Sequence, residues 1–128
     1  MSYLTSVKKE FLRYKSLGDK AMAQVADEAL HWQYNEESNS IATTVKHIWG
    51  NMLSRWTNFL TEDGEKEWRQ RDAEFEEDKA INRQLAHYPY HVGQIVYLAR
   101  MQAGDKWTSL SIARNKSDEF NREKFGRK

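Results

Sequence analysis

Apolar residues recur at steps of three and four along most of the chain, and no segment shows the strict alternation of a half-buried strand. Leu4, Val7, Phe11 and Tyr14 predict a first helix over residues 2–17, stopped by Gly18, with a shorter helix over 20–30. The polar run 35–40 ends in Ser38, Asn39 and Ser40, all good helix-capping residues. From there Ile41, Val45, Ile48, Met52, Trp56 and Phe59 form one stripe, which predicts a second long helix over 41–60 ended by Asp63 and Gly64. A third long helix follows over 80–103, with Ile81, Leu85, Tyr88, Val92, Ile95 and Ala99 as its buried stripe and Gly104-Asp105 as its stop. Between these two, residues 62–79 carry nine acidic and four basic side chains and read as a solvated helix or linker. Beyond Lys106 the chain is polar, with Trp107, Leu110, Ile112, Phe120 and Phe125 as anchors, and is expected to pack as an arm over 106–128.

The 128 residues fit a single domain, 1–128, and 39% hydrophobic content can fill its core. A net charge of +1 supplies no strong field toward nucleic acid or acidic lipid. The basic side chains near the end of the chain are diluted by Asp118, Glu119 and Glu123, which argues against a nucleic-acid partner. With no cysteine there is no disulfide, thiolate metal site or cysteine nucleophile. The first sixteen residues lack an apolar signal core, and the least charged run, 84–99, is shorter than the ~20 residues a membrane span needs. A cytoplasmic protein without a membrane partner is expected.

The candidate chemistry lies in three histidines. His87 and His91 are four apart, so a helix presents both imidazoles on one face. Measured from Ile81 at 100° per residue they fall near 240° and 280°, beside the apolar stripe and with Gln94 at about 220°. On the second long helix His47 sits near 240° from Ile41, flanked by Thr43, Asn51 and Ser54, while the stripe centres near 20°. Lys46 and Arg55 are the only formal charges between 41 and 60, so burial on more than one side is expected. Two charge-poor helices that each turn a histidine face outward are economically explained by a shared divalent ion. Three neutral imidazoles leave such an ion an open position, as in catalytic rather than closed structural sites. Imidazole suits zinc and nickel, and also iron or cobalt. Spacing alone does not separate this from hydrogen-bonded packing histidines. The metalloprotease pattern is absent because Tyr88 follows His87, and no carboxylate between 84 and 99 offers a general base. Pro89, between the two histidines, removes one backbone donor and predicts a local kink.

Several stretches together resemble the DinB-like (YfiT-like) metal-binding helical bundles, in a Bacillus-type branch of unknown function. They are Val25 to Trp32, Asn39-Ser40-Ile41-Ala42 with Lys46-His47-Ile48, and His87-x-x-x-His91-x-Gly93-Gln94. Gly50 to Trp56 and Ser109 to Ile112 resemble that branch in particular. The resemblance implies an all-α, up-down four-helix bundle, commonly a homodimer, with His47, His87 and His91 as the ligands of one divalent metal, zinc or nickel first. It also implies a metal-dependent transferase using a low-molecular-weight thiol of the bacillithiol type against an electrophile, in stress or detoxification; a hydrolase is the other enzymatic possibility. Asn51, Arg55 and Gln94 are then candidates to orient substrate. The alternative is a non-catalytic stress-response or binding module whose metal is structural. One departure stands out. The family's third long helix belongs between the charged segment and the histidine-pair helix, yet residues 76–81 join the two directly. Three long helices do not close a four-helix bundle, so either residues are omitted near 76–81 or a true deletion there is made good by dimerisation. Omission is the preferred expectation, and a break in the chain at 77–81 would mark it.

Overall fold

The computed structural model describes residues 2–58 and 77–126, and every regular element there is helical. Helix α1, Tyr3–Met22, starts where the Ser2 side chain accepts a hydrogen bond from the Thr5 amide at 3.3 Å, which satisfies one of its free amides. A single turn, α2, spans Asp27–Leu30. Helix α3, Ile41–Trp56, repeats the capping device through Ser40 and the Thr43 amide at 3.1 Å. Its end lies beside Asn58, whose φ of 56° is a left-handed conformation that asparagine tolerates and a continuing helix does not. Helix α4, Glu77–Ala103, passes through Pro89 and gives way to a 3-10 turn at Gly104–Lys106, with Gly104 at φ 55°. A last helix, α5, covers Ser117–Phe125 and closes at Gly126.

The long α4 is the axis of the fold, because α1 and α3 both pack on it and α2 touches α3 and α4. Ala21, Ile41, Ile95 and Ala99 form the buried centre, with Ile48, Leu98 and Trp107 packed around them. The predicted α4 stripe behaves as expected where α1 and α3 flank it: Val92, Ile95 and Ala99 are buried. Among the described residues there are three long helices, α1, α3 and α4, so the all-α class holds and the fourth long helix is not among them.

Several expectations change. Gly18 does not stop α1: it is buried mid-helix, where α1 meets Val92 of α4, and tertiary packing there outweighs its poor helix propensity. The shorter helix expected over 20–30 is divided, its first part absorbed into α1 and only Asp27–Leu30 forming a turn of its own. α4 begins at Glu77 and continues without interruption through 77–81, so the break expected there is absent. The polar run Glu77-Asp78-Lys79 simply extends the helix. Phe59, Leu60, Asp63, Gly64 and the charged stretch up to 76 lie outside the described residues.

Helix α3 is buried on two adjoining sides, as its scarcity of charge predicts. Of its apolar stripe, Ile41 lies in the core, Ile48 packs against it, and Met52 and Trp56 are half-buried, while Val45 is exposed. Beside them Thr44, Asn51, Ser54 and Arg55 are buried as well, whereas Trp49 and Leu53, outside the stripe, are exposed, Trp49 at 64%. From the arm, Trp107 and Leu110 pack on the core, and the turn after α1 anchors the segment: Gln24 Nε2 donates to the Thr108 carbonyl at 3.0 Å and Gln24 Oε1 accepts from the Thr108 amide at 2.7 Å. Every described residue of α5 is exposed.

Candidate metal centre

The crossing of α3 and α4 brings His47 to the histidine pair. His87 Nε2 lies 3.3 Å from His47 Nε2 and 3.0 Å from His91 Nε2. One ligand nitrogen from each ring falls in a cluster no wider than 4.8 Å, and these three residues could hold a metal ion. His87 and His91 are half-buried and His47 is exposed, so the cluster opens to solvent on the α3 side.

The distances can be set against two chemistries. A nitrogen-ligated divalent ion at about 2.0–2.1 Å has ligand–ligand edges of roughly 3.0–3.4 Å, depending on geometry. Both short separations fall in that range. Hydrogen bonding explains them less well, because an imidazole nitrogen carries either one proton or one lone pair. His87 Nε2 can therefore be matched to one of its two neighbours but not well to both. A cation shared by three lone pairs satisfies all of them.

The ring of His91 is set from behind. Gln94 Oε1 lies 2.7 Å from His91 Nδ1. A carbonyl oxygen accepts, so Nδ1 carries the proton and Nε2 presents its lone pair to the cluster. This is the usual way a ligand histidine is held in its tautomer. Gln94, expected to orient substrate, thus lies against one of the three clustered histidines. The spacing of three on α4 makes the contact possible.

Asn51 and Arg55 lie deeper. Asn51 is 9% exposed and Arg55 7%. Asn51 Oδ1 accepts from Gln84 Nε2 at 2.7 Å, a buried bond joining α3 to α4. Asn51 and Gln84 each sit one turn from a clustered histidine, Asn51 four after His47 and Gln84 three before His87. The bond therefore ties α3 to α4 close to the level of the histidines. Gln84 was not singled out from the sequence, although its position near 300° from Ile81 puts it on the histidine face. That angle was the available signal.

Tyr88, between the ligands in sequence, points to α1. Its ring centroid lies 5.7 Å from that of Phe11. Partial burial first, and the nearby Asp19 carboxylate second, push its phenol above the ordinary value of 10.0, so it stays neutral and serves packing. No helix among the described residues is long and apolar enough to cross a membrane.

Fold and site together define an all-α helical protein with a three-histidine cluster able to hold a metal ion. The chain belongs to the DUF1572 family, described as proteins of unknown function, which it matches over residues 1–80 and again over 77–116. The two matched stretches overlap at 77–80, where α4 begins. No curated protein and no solved structure is similar enough to match.

Proposed function

We propose that this protein is a DinB-like metal-binding bundle whose His47, His87 and His91 hold one divalent cation, zinc or nickel, and that the centre serves thiol S-transfer in stress or detoxification. The observation that carries this reading is the convergence of three imidazole nitrogens from two helices at metal-ligand spacing. When bound, such a cation favours the thiolate form of a sulfur at its open position. The chain's own residues supply the rest. Gln94 holds the His91 tautomer, the Asn51–Gln84 bond holds the two helices in register, and the exposed edge of His47 leaves access for a small thiol of the bacillithiol type and its electrophile. The reading includes a cytoplasmic homodimer, supported by the apolar side of α3, where Trp49 and Leu53 are 64% and 48% exposed.

A second reading is favoured by one observation: no Asp or Glu occurs between residues 84 and 99, so the stretch of α4 around His87 and His91 brings no carboxylate base with it. The metal would then be structural and the protein a non-catalytic stress-response or binding module.

The test uses tag-free protein, its metal content, and bacillithiol conjugation to monochlorobimane. Stoichiometric metal with conjugation that disappears in His91→Ala supports the first reading. Stoichiometric metal without conjugation selects the second. Protein that purifies and reconstitutes without metal, with His91→Ala as stable as the parent, overturns both.

A further inference from the structure

The opposite face of α4 carries a second concavity that the metal centre does not use. A groove of about 360 Å³ opens between α1, α4 and the returning segment after the 3-10 turn, in the size range of small-molecule sites. Its floor and walls are apolar: Leu17 from α1, Pro89, Val92 and Val96 from α4, and Leu110 from the returning segment. Gly93 leaves the middle open, since a Cβ placed there meets nothing within 4 Å. The outer wall does not hang free, because Leu110 lies two residues after Thr108, which Gln24 holds by both its amide groups.

The charge at this groove has one sign. Arg100 is the only charged side chain lining it, no carboxylate joins it, and Arg100 makes no ion pair or hydrogen bond with a described residue. An apolar trough lined by one cation that pairs with no described residue complements a molecule with an apolar body and one anionic end.

We propose that this groove binds an amphipathic monocarboxylate of the medium-chain fatty acid class, with its hydrocarbon tail along Val92, Gly93 and Val96 and its carboxylate on Arg100. The site is independent of the metal centre, since its α4 residues lie on the side of the helix away from His87 and His91.

Decanoate titrated calorimetrically into the full-length protein tests the proposal, with decanol and acetate as probes of the two halves of the ligand. Decanoate should bind at one site per chain, and Arg100→Gln should weaken it about tenfold, the loss of one charge-assisted pair. Decanol should bind the parent and Arg100→Gln alike, and acetate should bind neither. Gly93→Leu has open space at its Cβ and carries bulk into the trough, so it should abolish decanoate binding while its helical circular dichroism matches the parent. Gly93→Ala, smaller and a better helix former, should weaken binding less and guards against misfolding of the larger variant. Decanoate bound equally by the parent and both Gly93 variants would place it elsewhere and overturn the proposal. So would a folded parent that binds no decanoate, or one in which self-association occludes the groove, read as binding that vanishes as protein concentration rises.

Discussion

Gln84 of α4 donates a hydrogen bond to Asn51 of α3 at 2.7 Å in a buried setting, one turn from the histidines on each helix. Polar groups this deep are costly when unmatched, so the pair favours one register of α3 on α4. Asn51→Ala leaves the Gln84 amide without its acceptor and is expected to cost about 1–3 kcal/mol, a lowering of Tm by several degrees. Replacing both by apolar residues of similar size, Asn51→Leu with Gln84→Met, should recover most of that stability. Metal affinity, measured by competition with a chelator, should stay reduced in the double variant because the apolar pair does not specify the register. Recovery of stability and affinity together would show that the bond contributes packing alone.

The role of Gln94 is separable from stability because the side chain is exposed. Gln94→Leu removes the acceptor for the His91 Nδ1 proton and should weaken metal binding roughly 10–100-fold, with the Tm of the metal-free protein unchanged. Gln94→Glu restores an acceptor and should bind metal at least as well as the parent. If Gln94→Leu bound metal with parental affinity, the ring would not depend on this contact.

Tyr88 predicts the alkaline limb of the stability profile. Its phenol is raised above 10.0 in the folded protein, mainly by burial and then by Asp19. The folded state therefore prefers the protonated form more than the unfolded chain does. That stability is fully present below pH 10 and is lost as pH rises through the folded value. Tyr88→Phe keeps the ring against Phe11 and deletes the ionisation, so urea midpoints measured between neutral pH and pH 11 should fall less steeply than for the parent. Parallel profiles would assign the alkaline loss to other groups.

How far the sequence could be read depends on which contacts are local. The histidine face of α4 was legible because one helix fixes the relation of His87 to His91, and Ile95 and Ala99 followed from the same wheel. His47 was reachable because its polar surroundings matched those of the pair. The orientation of α3 was legible in part. Ile41 and Ile48 of its stripe reach the core as the wheel predicts, but the burial of Thr44, Asn51, Ser54 and Arg55 beside them depends on what lies opposite. The Asn51–Gln84 bond was hidden for the same reason, since it exists only once two helices are set at one height. Ser40 as a cap and Gly104 as a stop were legible, both being matters of local backbone chemistry.

Gly18 makes the contrast quantitative. Read locally it is a helix stop, whereas in the structure it lies inside α1, buried against α4. Glycine in a helix interior costs roughly 0.5–1 kcal/mol relative to alanine. Such a cost is tolerable where close approach demands it, but a Cβ at Gly18 would lie 3.9 Å from Val92 Cγ1, an ordinary van der Waals contact. Close approach therefore does not require the glycine, and Gly18→Ala should raise stability by about 0.5–1 kcal/mol, readable as a higher urea midpoint at unchanged slope. Bulk beyond one methyl is a different matter, because Val92 and Ala21 are already buried there, and Gly18→Leu should destabilise by overpacking, on the order of 1–3 kcal/mol. An alanine variant less stable than the parent would mean that α1 and α4 approach more closely in solution than the contact to Val92 indicates.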